Sequence, residues 1–273
     1  MTDEIAELLD AEWHSVDDLC SSFDDGTWAI PAALPGWSVK DCLSHIAGVE
    51  SSLLGEPMPA VDVSHLAHIV DPFQEITEAP VEFRRSWTGQ QVLDDFRTIT
   101  ARRVDQLRAM TAAELDTVGW SPLGDVPYRV FMGVRLFDSW MHEQDMRRAA
   151  DRPGHLHGVV VDRALDRFRA AVPFVIGKKA GAPEGSTVVI ATTGDTELSW
   201  TIAVIDGRAK LTSESAGDRP PEPTVGITMP FTTLVALGGG RWNVGEARHA
   251  GPIELTGDDD LAERILANLA FTP

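Results

Sequence analysis

Apolar positions spaced three and four residues apart run through the first half of the chain and predict a series of amphipathic helices. From Asp3 to Phe23 the stripe is Ile5, Leu8, Leu9, Glu12, Trp13, Val16, Leu19 and Cys20, and Asp24-Asp25-Gly26 stops it. A loop rich in Pro and Trp follows, through Trp28-Ala29-Ile30-Pro31 and Leu34-Pro35-Gly36-Trp37. Ser38 and Asp41 then stand at the positions of a capping box and open a second helix from Val39 to Leu54, with Cys42, His45, Val49 and Leu53 on one mainly apolar face. The stretch from Glu56 to Trp87, with four prolines, is long for a connection and predicts a short helix or a lid. Thr88-Gly89-Gln90-Gln91 repeats the capping pattern ahead of Val92, Leu93, Phe96, Ile99, Val104, Leu107 and Met110. After a turn-rich segment, Pro127 marks the start of a fourth long helix reaching Ala150.

One more helical pattern, Val159 to Val175, precedes a change of period. Thr187–Thr192, Leu198–Ile205 and Arg208–Ser213 are β-branched runs, and Asp206-Gly207 between the last two is a hairpin signal. Val225–Pro230 reads as another strand, Phe231–Leu237 as a helix stopped by three glycines, and Asp260–Leu269 as a terminal helix. The expected architecture is therefore two domains of α+β class. Residues 1–155 form a helical bundle, and 156–273 form a linker helix and a small α+β domain. The proline-rich loop Arg219-Pro220-Pro221-Glu222-Pro223 is the one compositionally biased tract.

Composition narrows the partners. The 273 residues include 42 acidic and 23 basic side chains, for a formal net charge of −19, which argues against nucleic acid or an anionic membrane as the partner. Lysine occurs only at positions 40, 178, 179 and 210, so the basic side is nearly all Arg; with abundant Ala, Gly and Asp this points to a GC-rich genome of actinobacterial type. Two cysteines, Cys20 and Cys42, give no disulfide framework. The start Met1-Thr2-Asp3-Glu4 lacks a signal-peptide pattern, and no apolar run reaches membrane-spanning length. The expectation is a cytoplasmic protein, monomeric or homodimeric, acting on small molecules.

The chemistry concentrates in Phe137-Asp138-Ser139-Trp140-Met141-His142. Asp138 and His142 are four residues apart and share one helix face, a spacing that suits two ligands of one divalent metal. A third ligand can come from another helix of the bundle, and the inward-facing His45 is the candidate. The alternative is a local Asp138–His142 ion pair on a helix surface. Asp145 stands where it can orient the other ring nitrogen of His142, or it is a solvated acid. Cys42 is either a soft ligand or a small apolar core residue. The remaining histidines, at 14, 65, 68, 155, 157 and 249, show no ligand spacing and read as loop or surface residues. No phosphate loop, nucleophile elbow or paired cysteines occur.

The tract Leu34-Pro35-Gly36-Trp37-Ser38-Val39-Lys40-Asp41-Cys42-Leu43-Ser44-His45, with Asp138-Ser139-Trp140-Met141-His142-Glu143-Gln144-Asp145, resembles the mycothiol-dependent maleylpyruvate isomerase family of the DinB-like superfamily. Gly257-Asp258-Asp259-Asp260 near the end resembles that family's second, sterol-carrier-like domain. The resemblance implies a four-helix bundle holding a divalent metal, usually zinc, through His45, Asp138 and His142, with positions open to the thiolate of mycothiol or a similar low-molecular-weight thiol. It implies a small electrophile as substrate, with isomerisation or S-transfer as the reaction, and Arg241 as a residue that binds an acidic substrate. The isomerase motif has Glu where this chain has Asp138. Readings from other classes are a non-enzymatic carrier of small molecules or lipid, and a metal-dependent hydrolase.

Overall fold

The computed structural model describes residues 4–272 except 219 and 221, so Met1 to Asp3, Arg219 and Pro221 of the proline-rich loop, and Pro273 lie outside the described residues. The chain divides into two compact units, Met1–Ala164 and Leu165–Pro273.

The first unit contains α1 (Glu4–Cys20), α2 (Asp25–Trp28), α3 (Val39–Leu53), α4 (Pro72–Arg84), α5 (Gly89–Ala109), α6 (Ala112–Leu115), β1 (Val118–Gly119), β2 (Val126–Pro127), α7 (Tyr128–Ala149) and α8 (Val159–Ala164). Helices α1, α3, α5 and α7 form the bundle: α1 and α3 each pack against both α5 and α7. Their stripes meet in one core, with Leu9 and Trp13 from α1, Leu43 and Ile46 from α3, Phe96 from α5 and Leu136 from α7. The capping reading holds at α5, where Thr88 accepts from the Gln91 N–H and Gln91 accepts in return from the Thr88 N–H. At α3 the Asp41 carboxylate accepts from both the Ser38 N–H and the Ser38 hydroxyl, at 2.8 Å each.

One local expectation is met and two are corrected. The long connection contains a 13-residue helix, α4, with Asp71 capping the Phe73 and Gln74 N–H groups and Pro72 in its first turn. Internal Pro80 does not break α4, and it lies where a Cβ on Gly48 of α3 would come within 2.2 Å, so only glycine at 48 admits this approach. The turn-rich segment after α6 is flanked by a two-residue antiparallel ladder, Val118–Gly119 with Val126–Pro127. The helical pattern over 159–175 is not one helix. It is split between α8, which packs on α7 and α1, and α9 (Asp166–Phe174), and a π turn, Val175–Lys179, follows.

The second unit adds β3 (Thr187–Thr193), β4 (Ser199–Ile205), β5 (Arg208–Ser213), β6 (Val225–Pro230), α10 (Phe231–Gly238), α11 (Val244–Ala250), β7 (Glu254–Gly257) and α12 (Asp259–Ala267). The sheet order is β5-β4-β3-β6-β7, with β3 and β6 parallel and the other pairs antiparallel. Successive residues of a strand face opposite sides, yet Val188, Val189 and Ile190 are all fully buried, so both faces are covered at the central strand. The Asp206-Gly207 turn between β4 and β5 has both residues at positive φ (55° and 71°), the geometry that such a pair supplies to a two-residue hairpin. The unit is α+β, as the alternation of period indicates.

Candidate metal centre in the helical unit

The turn before α3 and two helix faces build the site. Gly36 has φ 78°, and a Cβ there would lie 2.5 Å from the His68 ring, so both backbone and space require glycine. This turn aims Trp37 inward, where its indole N–H donates to Glu78 Oε2 at 2.7 Å. The same carboxylate meets His68 Nε2 at 3.1 Å and Arg85 at 2.7 Å, which ties α4 and the preceding segment over the turn. The Trp37 ring lies 5.2 Å from that of His45 and 5.6 Å from that of His142, centroid to centroid.

His45 on α3 and Asp138 and His142 on α7 converge, with one ligand atom of each within 4.8 Å of the others. His45 Nε2 is 3.3 Å from Asp138 Oδ2, and His142 Nε2 is 3.7 Å from Asp138 Oδ1. Both histidines are 5% exposed. Burial holds the His45 imidazole below its usual pKa against the attraction of Asp138, so it is neutral at pH 7. Burial also opposes ionisation of Asp138, but Arg135 first and then the two histidines outweigh it and hold the carboxyl well below the usual range. An imidazole pair with an ionised carboxylate is a donor set that fits a divalent ion of the zinc or iron type. The surface ion-pair alternative does not fit, because both rings are buried and turned towards a partner on another helix.

Charged groups support this centre from behind. Arg135 NH1 donates to Asp138 Oδ2 at 2.7 Å, and its Nε donates to Glu50 Oε1 at 2.8 Å. Glu50 Oε2 accepts from Arg103 Nε at 2.9 Å, so α3, α5 and α7 are joined by a buried chain of charges. Asp145 Oδ2 is 3.4 Å from His142 Nδ1, within ion-pair reach although not aligned as a hydrogen bond. Cys42, fully buried, forms a second metal-competent grouping with His142 and Asp145 on the far side of the ring.

Sequence spacing identified His45, Asp138 and His142, and the fold brings all three together. It did not identify Arg135 and Glu50 as an ion pair across two helices, nor His68 and His155 as partly buried and partnered. Arg241 lies in the second unit, in the turn after α10, where its NH1 donates to the Gly239 carbonyl at 2.6 Å. The metal cluster is drawn from the first unit alone. A groove of about 870 Å³ in the same unit is lined by Trp28, Trp37, Lys40, Arg85 and Trp87 among others, but not by His45, Asp138 or His142; Trp37 borders both.

A helical bundle in which two buried histidines meet a half-buried aspartate, followed by an α+β unit, defines the class. Residues 9–147 match the model of the mycothiol maleylpyruvate isomerase N-terminal domain, and the chain belongs to that family. Among solved structures it is similar in fold to a mycothiol-dependent maleylpyruvate isomerase, at 17% identity and a TM-score of 0.53 over 89% of this chain and 90% of that one. A point mutant of a mycothiol-dependent maleylpyruvate isomerase matches at 16% identity and 0.52 over the same shares. A sterol carrier protein 2-like 2 structure from Aedes aegypti matches 37% of this chain and 93% of its own at 20% identity, with a TM-score of 0.27 that carries no argument by itself. No curated protein sequence matches.

Proposed function

We propose that the protein is a divalent-metal-dependent enzyme, zinc being the expected ion, that activates mycothiol or a similar low-molecular-weight thiol for attack on a small electrophile, as an isomerase or S-transferase. The observation that carries this reading is the convergence of the buried His45 and His142 on the half-buried Asp138 in a chain of this family. A divalent ion in such a site supplies Lewis acidity that keeps a thiol ionised at neutral pH without a strong general base. The chain's own part is positional. His45 presents a neutral imidazole, Arg135 holds one oxygen of Asp138 and leaves the other facing His142, and the Trp37 ring lies against both histidines and shields them from water. Because the net charge of −19 repels an anionic substrate, a local cation is needed, and Arg241 is proposed for that task. The setting is cytoplasmic; no described helix is long and apolar enough to cross a membrane.

Thermal denaturation with mycothiol tests the reading. A ligand that binds only the native state stabilises it by about 2.7 kcal/mol at 100 times its Kd, so saturating thiol should raise the melting temperature of metal-loaded protein and leave metal-stripped protein unchanged. No shift with metal present sinks the proposal. A shift with fatty acyl or sterol ligands alone favours a carrier instead. Product analysis separates isomer from thioether. Arg241→Met should lower turnover or raise KM while metal content and the thiol shift stay intact; wild-type kinetics would remove Arg241 from the site.

A further inference from the structure

The bundle contains a second grouping of ligand-type side chains that the centre above does not use. Glu12 of α1, Glu143 of α7 and His155, in the segment after α7, bring one ligand atom each within 4.8 Å of the others. Glu143 follows His142 directly, so its side chain leaves α7 about 100° further round the helix. It meets α1, where the Ser15 hydroxyl donates to Glu143 Oε1 at 2.6 Å.

The two carboxylates are in different states. Glu143 is satisfied: besides Ser15, Arg147 Nε donates to Oε1 at 2.9 Å, and His155 Nδ1 is 2.6 Å from Oε2. Glu12 is fully buried and neither of its oxygens has a hydrogen-bond partner, with His155 Nδ1 at 3.5 Å from Oε2. Burial first, and the charge of Glu143 next, push the Glu12 carboxyl well above its usual range. A carboxylate stripped of water and left without donors is relieved either by a proton or by a cation.

Geometry admits the cation. Arg147 occupies only Oε1 of Glu143, so Oε2 points with Glu12 and the imidazole towards a common centre. The His155 side chain is 18% exposed and is the member of the cluster that reaches solvent, since Glu12 and Glu143 are fully buried. With two carboxylates and one imidazole the donor set is richer in oxygen than the His/Asp/His centre. We propose that Glu12, Glu143 and His155 form a second divalent-cation site, of the class that takes manganese or zinc, which joins α1 and α7 to the segment after α7 and is independent of the thiol chemistry.

The test uses full-length protein in which the first centre is removed by His45→Ala and His142→Ala, titrated calorimetrically with Mn(II) and with Zn(II). One equivalent of at least one ion should still bind. Adding Glu12→Gln, which keeps shape and burial, should weaken that binding by at least about 100-fold, beyond the effect of losing a partner behind a ligand. His155→Ala, at the partly exposed position, should do the same. A double variant that binds neither ion overturns the proposal, as does binding that survives Glu12→Gln; a proton shared by Glu12 and Glu143 then explains the cluster. Because the first centre is absent from this background, failure here says nothing against the thiol-dependent reading, and failure of the thiol to bind says nothing against this site.

Discussion

Alanine at His45 or at His142 should remove one equivalent of divalent metal from the protein. Each substitution deletes one of three protein ligands and leaves Asp138 with a single imidazole, so the remaining pair cannot complete the coordination that a zinc-type ion requires. The loss of affinity should exceed the roughly 10–100-fold cost of removing a hydrogen-bond partner behind a ligand. Asp145→Asn, which alters only the group near His142 Nδ1, should fall within that smaller range. Elemental analysis of protein purified without chelator measures both, with circular dichroism as the check on folding. Wild-type metal content in both alanine variants would reject these ligands. Metal lost equally from Asp145→Asn would promote Asp145, with Cys42, from support to ligand.

Glu50→Ala should be the most destabilising single change in the helical unit. Glu50 is fully buried and is the counter-ion of both Arg103 and Arg135, themselves buried. Removing it leaves two guanidinium groups with reduced compensation in a low-dielectric core, a situation that costs about 3–5 kcal/mol per broken buried pair. Urea denaturation of the variant against wild type measures the loss. Replacing the exposed Arg102–Glu56 pair should barely move the midpoint, because solvent screens it. Since Arg135 bridges Glu50 and Asp138, Glu50→Ala should also weaken metal binding, whereas the exposed control should not. A loss near zero would show that the network rearranges around the missing carboxylate.

The bundle was readable because α1 and α5 each bury one stripe, a period that survives without knowledge of partners, while α3 and α7, buried throughout Asp41–Gly48 and Ser139–Met146, were marked by their starts at Ser38 and Pro127. The extent of helix α4, expected only as a short helix or a lid, escaped because Pro72 and Pro80 look like breaks; the first fits the initial turn, and the second packs against Gly48 rather than disrupting α4. In the second unit α11 and β7 were missed, one being a seven-residue polar helix and the other a four-residue strand with no buried residue. For the candidate site, spacing of four along α7 and an inward His on α3 were enough to expect His45, Asp138 and His142 together. The Glu12–Glu143–His155 cluster joins positions far apart in sequence, which no local pattern encodes. One signal was present: Glu12 is an acid in the apolar stripe of α1, and its full burial follows from that placement. Of the Arg103–Glu50–Arg135 chain only Arg135 left a trace, three residues before the Asp138 it contacts.

The parallel pairing at the middle of the sheet has a kinetic consequence. Val188 of β3 is registered with Val225 of β6, so the central strand gains its second neighbour only after the β4–β5 hairpin and the proline-rich loop have been made. Closure of β7 onto β6 waits longer still. The helical unit has no such dependence, since all its elements precede Leu165. On the ribosome, His45, Asp138 and His142 are therefore brought together while the sheet is still an open hairpin, and the slow, high-contact-order step of folding falls to the C-terminal unit.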